Sequence, residues 1–200
     1  MADNGTLCKT LFYDITHQVR VPATIASVNA SNCYDQIAHA MASLIFQAFG
    51  FPLNAVKTIL GAIKSMKFFL RTEFGDSSRF AGGGISIKTQ GLTQGNGASP
   101  AGWAVISICI LGAHQKKRHG AKFLCPISKL HHHLSTILYV DNTAIIHIDL
   151  MQEESVNKVH NAIQSSADSW GNLLIATSGV LQLLSKCVYS AISFEWKNGE

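Results

Sequence analysis

The order of the elements written into this chain predicts an α+β fold, an antiparallel sheet with helices packed on one face. Three observations carry that expectation. The run from Pro22 to Asn29 is apolar and short enough for a single buried strand. Two β-rich runs, Leu134 to Val140 and Ala144 to Ile148, are separated only by Asp141-Asn142-Thr143, which is hairpin spacing. The remaining apolar residues recur mostly at helical spacing, in segments that do not alternate one-for-one with strands.

Taken in order, the strand at Pro22 to Asn29 runs into a helix near Asn32, because Ile37, Met41, Leu44, Ile45 and Phe49 share one helical face between Tyr34 and Phe49. Gly50 stops that helix and Pro52 opens the next, whose stripe is Val56, Ile59, Leu60, Ile63 and Met66. Phe68 to Thr72 and Ile85 to Lys88 read as strands flanking an irregular, glycine-rich stretch from Gly75 to Gly84. Ala101 to His114 is continuously apolar and predicts a helix buried beneath the sheet. Gln152-Glu153-Glu154 places acids where the helix dipole favours them, at the start of a helix through Trp170. Leu173 to Ala176 and Cys187 to Trp196 read as closing strands.

Composition bounds the rest. With 47% apolar and 14% charged residues, the chain can bury a core and reads as one domain over residues 1–200. It has neither an apolar run of membrane-spanning length nor a secretory leader pattern, so an intracellular, non-membrane protein is expected. Five scattered cysteines without a Cys-x-x-Cys pair read as reduced thiols. A formal charge of +4 does not by itself demand nucleic acid, and solvated helix ends explain Lys116-Lys117-Arg118-His119 and the spaced Lys57, Lys64, Lys67 and Arg71 equally well. His131-His132-His133 reads as a surface loop, since consecutive strand residues point to alternate faces and cannot share one ion. Asp149 reads as a strand terminator.

Asp141 sits between two apolar strands in Leu138-Tyr-Val-Asp-Asn142, where a hairpin holds its carboxylate rigidly. Alone, such an aspartate is an ordinary turn-former. Its company changes the reading. Tyr139-Val140-Asp141-Asn142 is similar to the Tyr-x-Asp-Asp hairpin of reverse transcriptases, and Gln94-Gly95-Asn-Gly-Ala-Ser99-Pro100 matches their Gln-Gly-x-x-x-Ser-Pro block. Asn29-Ala-Ser-Asn-Cys-Tyr34-Asp35 resembles the first block, an aspartate followed five residues later by an aromatic. The three blocks occur in the family's order across most of the chain. The chain thus resembles the polymerase palm of a reverse transcriptase of the retrotransposon, or retroelement, type.

That resemblance implies template-directed DNA synthesis from dNTPs, with magnesium as cofactor and primer-template nucleic acid as partner. It makes Asp141, Asn29 and Asn142 the ligand positions, with Asp141 and Asn29 nearest the metal. It makes Tyr34 a steric gate against ribose, Gln94 and Gly95 contacts to nucleotide or template, and Lys186 the donor of a proton to departing pyrophosphate. The family holds three aspartates where this chain holds Asn29, Asp141 and Asn142, so only one position keeps its charge. A carboxamide is a poor magnesium ligand. One unit charge at ~4 Å is about 4 kcal/mol at an effective dielectric near 20, and a loss of that size is on the order of a thousandfold in rate. Few residues precede Asn29 and few follow Trp196, so fingers and thumb are expected to be largely missing. The expectation is a degenerate, catalytically impaired copy. The alternative is a non-catalytic nucleic-acid-binding remnant of the same polymerase. A small-molecule hydrolase using Asp141 with His39 or His147 is the third reading, and no nucleophile-base spacing supports it.

Overall fold

A computed structural model describes residues 2–83, 90–117, 120–125, 127–148 and 156–195. In chain order the elements are α1 (Ala2–Val19), β1 (Ala23–Ser31), α2 (His39–Ala48), α3 (Leu53–Ser65), β2 (Lys67–Thr72), β3 (Gly75–Gly82) and α4 (Ser99–Lys116). They continue with β4 (Ala121–Leu124), β5 (His131–Leu134), β6 (Thr136–Tyr139), β7 (Asn142–Ile148), α5 (Val156–Ser178), β8 (Leu181–Gln182), a 3-10 turn at Leu184–Lys186, and β9 (Val188–Ile192). The chain forms two compact units, one of Met1–Ser31, Ile110–Ala176 and Leu181–Glu200, the other of Asn32–Cys109 and Thr177–Val180.

The first unit is built on a five-stranded antiparallel sheet in which β1 is central. β7 pairs along one edge of β1, while the other edge is shared by β9, against Ala23 to Ser27, and β8, against Ala30 and Ser31. Because side chains alternate along a strand, β1 and β7 present two apolar faces. On one, Ala23, Ile25, Ala144, Ile146 and Ile148 pack with Phe12 of α1. On the other, Ala26 and Val28 face α5 through Ile163 and Ala167. Each fully buried Ile or Phe contributes roughly 1.5–3 kcal/mol, so this two-sided packing fixes the register of β1.

The sequence assigned no element to the first residues, and the reason is visible in α1. Its inward stripe holds Phe12 and the fully buried Thr16, whose Oγ1 donates to the Phe12 carbonyl at 2.8 Å. A stripe half made of small or polar residues gives no helical signature. α5 departs from expectation in the opposite way: Leu173 to Ala176, expected as a strand, continue the helix. Val159, Ile163, Ser166, Trp170 and Leu174 form one buried stripe. Gly171 does not stop it, and the helix runs on through it with Trp170 and Leu174 buried on either side.

In the second unit the helix expected from Tyr34 starts only at His39. The carbonyls of Tyr34 and Ile37 instead accept from Leu92 N at 2.7 Å and Gly91 N at 2.9 Å, so a distant segment takes the bonds a helix needs. α3 begins after Pro52 and ends at Ser65, as its stripe predicts, and α4 begins at Ser99. Gly75 to Gly82, expected to be irregular, is a strand paired with β2. Its polar residues conceal it, but where the register shifts Ser77 Oγ accepts from Leu70 N at 3.0 Å and holds the pairing. His131 to His133, expected in a loop, form part of β5. Ile85 to Lys88, Asp149, Gln152 to Glu154 and Trp196 lie outside the described residues.

Candidate functional site

The register of the sheet creates the site. Asn29 pairs with Asn142 and Tyr139 also pairs with Asn142, which leaves Val140 and Asp141 as a two-residue turn at the end of β1. Val140 takes φ +55°, a left-handed conformation that costs a β-branched residue about 1–2 kcal/mol. Backbone strain of this kind persists only where the surroundings over-determine it. Here the turn is docked: Ala30 N donates to the Asp141 carbonyl at 2.8 Å.

Docking brings three polar side chains together. Asn29, only 6% exposed, donates through Nδ2 to Asp141 Oδ2 at 3.0 Å and to Asn142 Oδ1 at 3.0 Å. Asn142 Nδ2 donates to the other carboxylate oxygen, Oδ1, at 3.2 Å. The orientation of Asn29 follows from chemistry, since an ionised carboxylate only accepts and the amide must present its N–H end. Both hydrogens of that amide are thereby used.

These residues do not fit a two-metal centre as they stand. A carboxylate in place of Asn29 would repel Asp141 and call for a cation between them; the amide supplies N–H groups there instead, and its donors point where a ligand oxygen is needed. Among the described residues, no group of three or more His, Cys, Asp or Glu could hold a metal ion.

The remaining positions singled out in the first two blocks belong to the second unit. Tyr34 is half-buried and receives Leu92 N on its carbonyl. Gln94 N donates to Asp35 Oδ1 at 2.9 Å, so Asp35, which had no assigned role, ties the first block to the second. Ser99 Oγ donates to the carbonyls of Leu92 and Thr93 at 2.5 and 2.7 Å and anchors the loop onto α4. Gly95 has φ +88° with open space around it, so its glycine answers a backbone demand, whereas a Cβ on Gly91 would lie 2.5 Å from the Asp35 backbone.

No family model matches this sequence, and no curated protein does. Solved structures do. Telomerase from Candida tropicalis, in complex with the TWJ fragment of telomeric RNA, aligns over 96% of this chain and 29% of its own length, at 13% identity and a TM-score of 0.58. The apo telomerase of Candida tropicalis truncated from its C-terminal domain aligns over 99% of this chain and 36% of its own, at 13% identity and a TM-score of 0.57. Telomerase from Candida albicans with the TWJ fragment aligns over 95% and 30%, at 12% identity and a TM-score of 0.51. The fold is a polymerase palm. The chain spans about a third of the length of these telomerases, and at this identity the likeness is one of fold.

Other features of the palm test the sequence reading further. Lys186 is exposed on the 3-10 turn, whose preceding residue Leu183 donates its N to the Asn29 carbonyl at 2.7 Å. Among the described residues Lys186 makes no hydrogen bond to Asn29, Asp141 or Asn142. The hydrolase reading fails on geometry. His147 alternates to the sheet face opposite Asn142, and His39 spends its Nε2 on the Gly91 carbonyl at 2.7 Å. His131, His132 and His133 pair with Leu124, Phe123 and Lys122 and point alternately, as a strand requires. No helix among the described residues is long and apolar enough to cross a membrane. Sequence reasoning missed a cavity of about 300 Å³ that Lys9 of α1 shares with Ser27, Tyr139 and Asn142, because α1 itself gave no signal.

Proposed function

We propose that this chain is a reverse-transcriptase palm of the retroelement type in which hydrogen bonds have replaced the metal centre, leaving a fold that contacts primer-template nucleic acid without efficient nucleotidyl transfer. The observation that supports this is Asn29 giving both N–H hydrogens to Asp141 and Asn142. In a working palm, magnesium activates the primer hydroxyl and offsets charge on the triphosphate, and the protein contributes rigid anionic oxygens. Here one carboxylate remains and both of its oxygens accept from amides. Magnesium is accordingly held weakly. Tyr34, Gln94 and Gly95 keep the residue types for meeting a dNTP and its template, and Lys186 that for a proton donor, while the ligand positions keep a single charge.

Purified chain given a primer-template, dNTPs and magnesium is expected to extend no primer; extension above background overturns the reading. The Asn29→Asp/Asn142→Asp double variant is expected to gain magnesium binding, read as a magnesium-dependent rise in melting temperature absent from the parent. That readout does not require catalysis. Nucleic-acid binding is expected to weaken steeply with salt, since phosphate contacts dominate it.

A further inference from the structure

The β2–β3 hairpin has features that the palm centre does not use. Phe69 and Phe80 are cross-strand partners with ring centroids 5.8 Å apart, and they are 52% and 42% exposed. Lys67 projects from the same face as Phe69, with Nζ 4.5 Å from the Phe80 ring centroid. At the tip, Phe74 is 91% exposed. Exposed aromatics cost a monomer solubility, and two neighbouring rings on one strand face, tilted 51° to each other, call for a partner.

Charge identifies the partner. Between Lys64 and Gly83 the chain carries Lys64, Lys67, Arg71 and Arg79 against Glu73 and Asp76, and Arg71 already pairs with Asp76 at 2.7 Å. The surplus is cationic, and Lys67 is the cation placed at the rings. A face that offers rings for stacking and an ammonium group for phosphate is matched by a flexible polyanion whose bases are free to stack. Duplex fits poorly, because its bases are already stacked and its phosphates follow a fixed helical path. An apolar protein surface would leave Lys67 desolvated without a counter-charge.

We propose that the β2–β3 hairpin is a binding site for single-stranded nucleic acid, with Phe69 and Phe80 as the stacking platform and Lys67 as the phosphate contact. Lys67 leaves the Phe80 ring at little cost when a strand arrives, since an exposed cation–π contact is weak.

The test is fluorescence anisotropy of the full chain with a labelled single-stranded oligonucleotide of mixed sequence and, separately, with a blunt duplex of the same length. Phe69→Ala/Phe80→Ala is expected to weaken single-strand binding about tenfold or more and to leave duplex binding within about twofold. Phe69→Tyr/Phe80→Tyr, which keeps the rings, is expected to bind like the parent. Lys67→Gln is expected to lower the slope of log affinity against log salt by about 0.7 for the single strand. No single-strand binding by the parent, equal loss for both ligands, or no loss in the alanine variant each overturns the proposal. So does a light-scattering result in which the alanine variant dissolves a dimer while single-strand binding persists, because the rings then meet a second copy. Failure of primer extension has no bearing on these outcomes, which read binding at a site far in sequence from Asp141.

Discussion

Two hairpins in this molecule turn in two residues, Val140-Asp141 and Glu73-Phe74, yet they are held in opposite ways. At the first, the turn carbonyl is bonded by Ala30, and the turn acid meets a buried amide that also bonds its neighbour. At the second, the nearby acid Asp76 meets Arg71 in the open, with side chains 53% and 84% exposed. The turns are alike in length only: the first puts Val140 at φ +55°, while at the second the positive φ falls on Gly75, at +111°. An interaction is worth more where water cannot replace it, so the first tip tolerates a strained valine and the second is spanned by an ion pair that salt screens.

The comparison breaks most sharply at Asn29. Replacing it alone with aspartate sets a buried carboxylate against the half-buried one of Asp141. At about 4 Å and an effective dielectric near 20 the repulsion is about 4 kcal/mol, with the lost amide bonds in addition. The Asn29→Asp chain is therefore expected to melt far below the parent in EDTA at neutral pH. The sign with pH follows from like-charge coupling, which raises the pKa of one acid in the folded state above its unfolded value. The penalty is present when both acids are ionised and disappears as pH falls through the raised folded value, so acidification should restore part of the lost melting temperature. A variant as stable as the parent at neutral pH without metal would show that the cluster is not the tight contact its distances imply.

Next in size is Asp141→Ala. It leaves one N–H of the buried Asn29 amide without its acceptor, which costs about 1–3 kcal/mol by the penalty for an unpaired buried donor. Chemical denaturation should show that loss, and Asn29→Ala added to it should cost little more, because the two act as one unit. Additive losses in the double variant would separate the pair.

How far this arrangement was legible in the sequence depends on what a residue needs to declare itself. β7 was legible because it is a short, continuously apolar run beside a turn signal, and α3 because its apolar residues repeat at helical spacing. The meeting of Asn29 with the hairpin was expected only through the order of the three blocks, and the structure supplies the reason, a register in which Asn29 faces Asn142. What could not be read is the choice of partner: that Ala30 N goes to the Asp141 carbonyl, or Gln94 N to Asp35, is set by segments far apart in the chain. β3 was hidden because Gly75-Asp-Ser-Ser-Arg has almost no strand character of its own and is held by Ser77 and by pairing. The end of α5 was hidden because Leu173 to Ala176 is a short apolar run, which fits a strand as well as a segment of buried helix.

Val140→Gly tests the strain at the docked tip and should produce a smaller effect, of opposite sign. Glycine relieves about 1–2 kcal/mol of left-handed strain and returns roughly 0.5–1 kcal/mol through the freedom it gives the unfolded chain. A net gain below about 1 kcal/mol, seen as a rise of about 1–3 °C in melting temperature, is expected. A fall would mean that the valine side chain contributes packing that outweighs its backbone cost.

Arg71→Ala at the open hairpin should do least. Its guanidinium is held above its usual range by the bond to Asp76, yet it lies fully in solvent, where water and salt take over the contact when it is lost. The pairing of β2 with β3 does not depend on it, since Leu70 N still reaches Ser77 and the ladder from Lys67 to Thr72 remains. Melting curves of this variant and the parent are expected to coincide in high salt and to differ little in low salt. A drop comparable to that of Asp141→Ala would show that Arg71 holds the register beyond the shift, and hydrogen exchange at Phe69 and Phe80 would then rise with it.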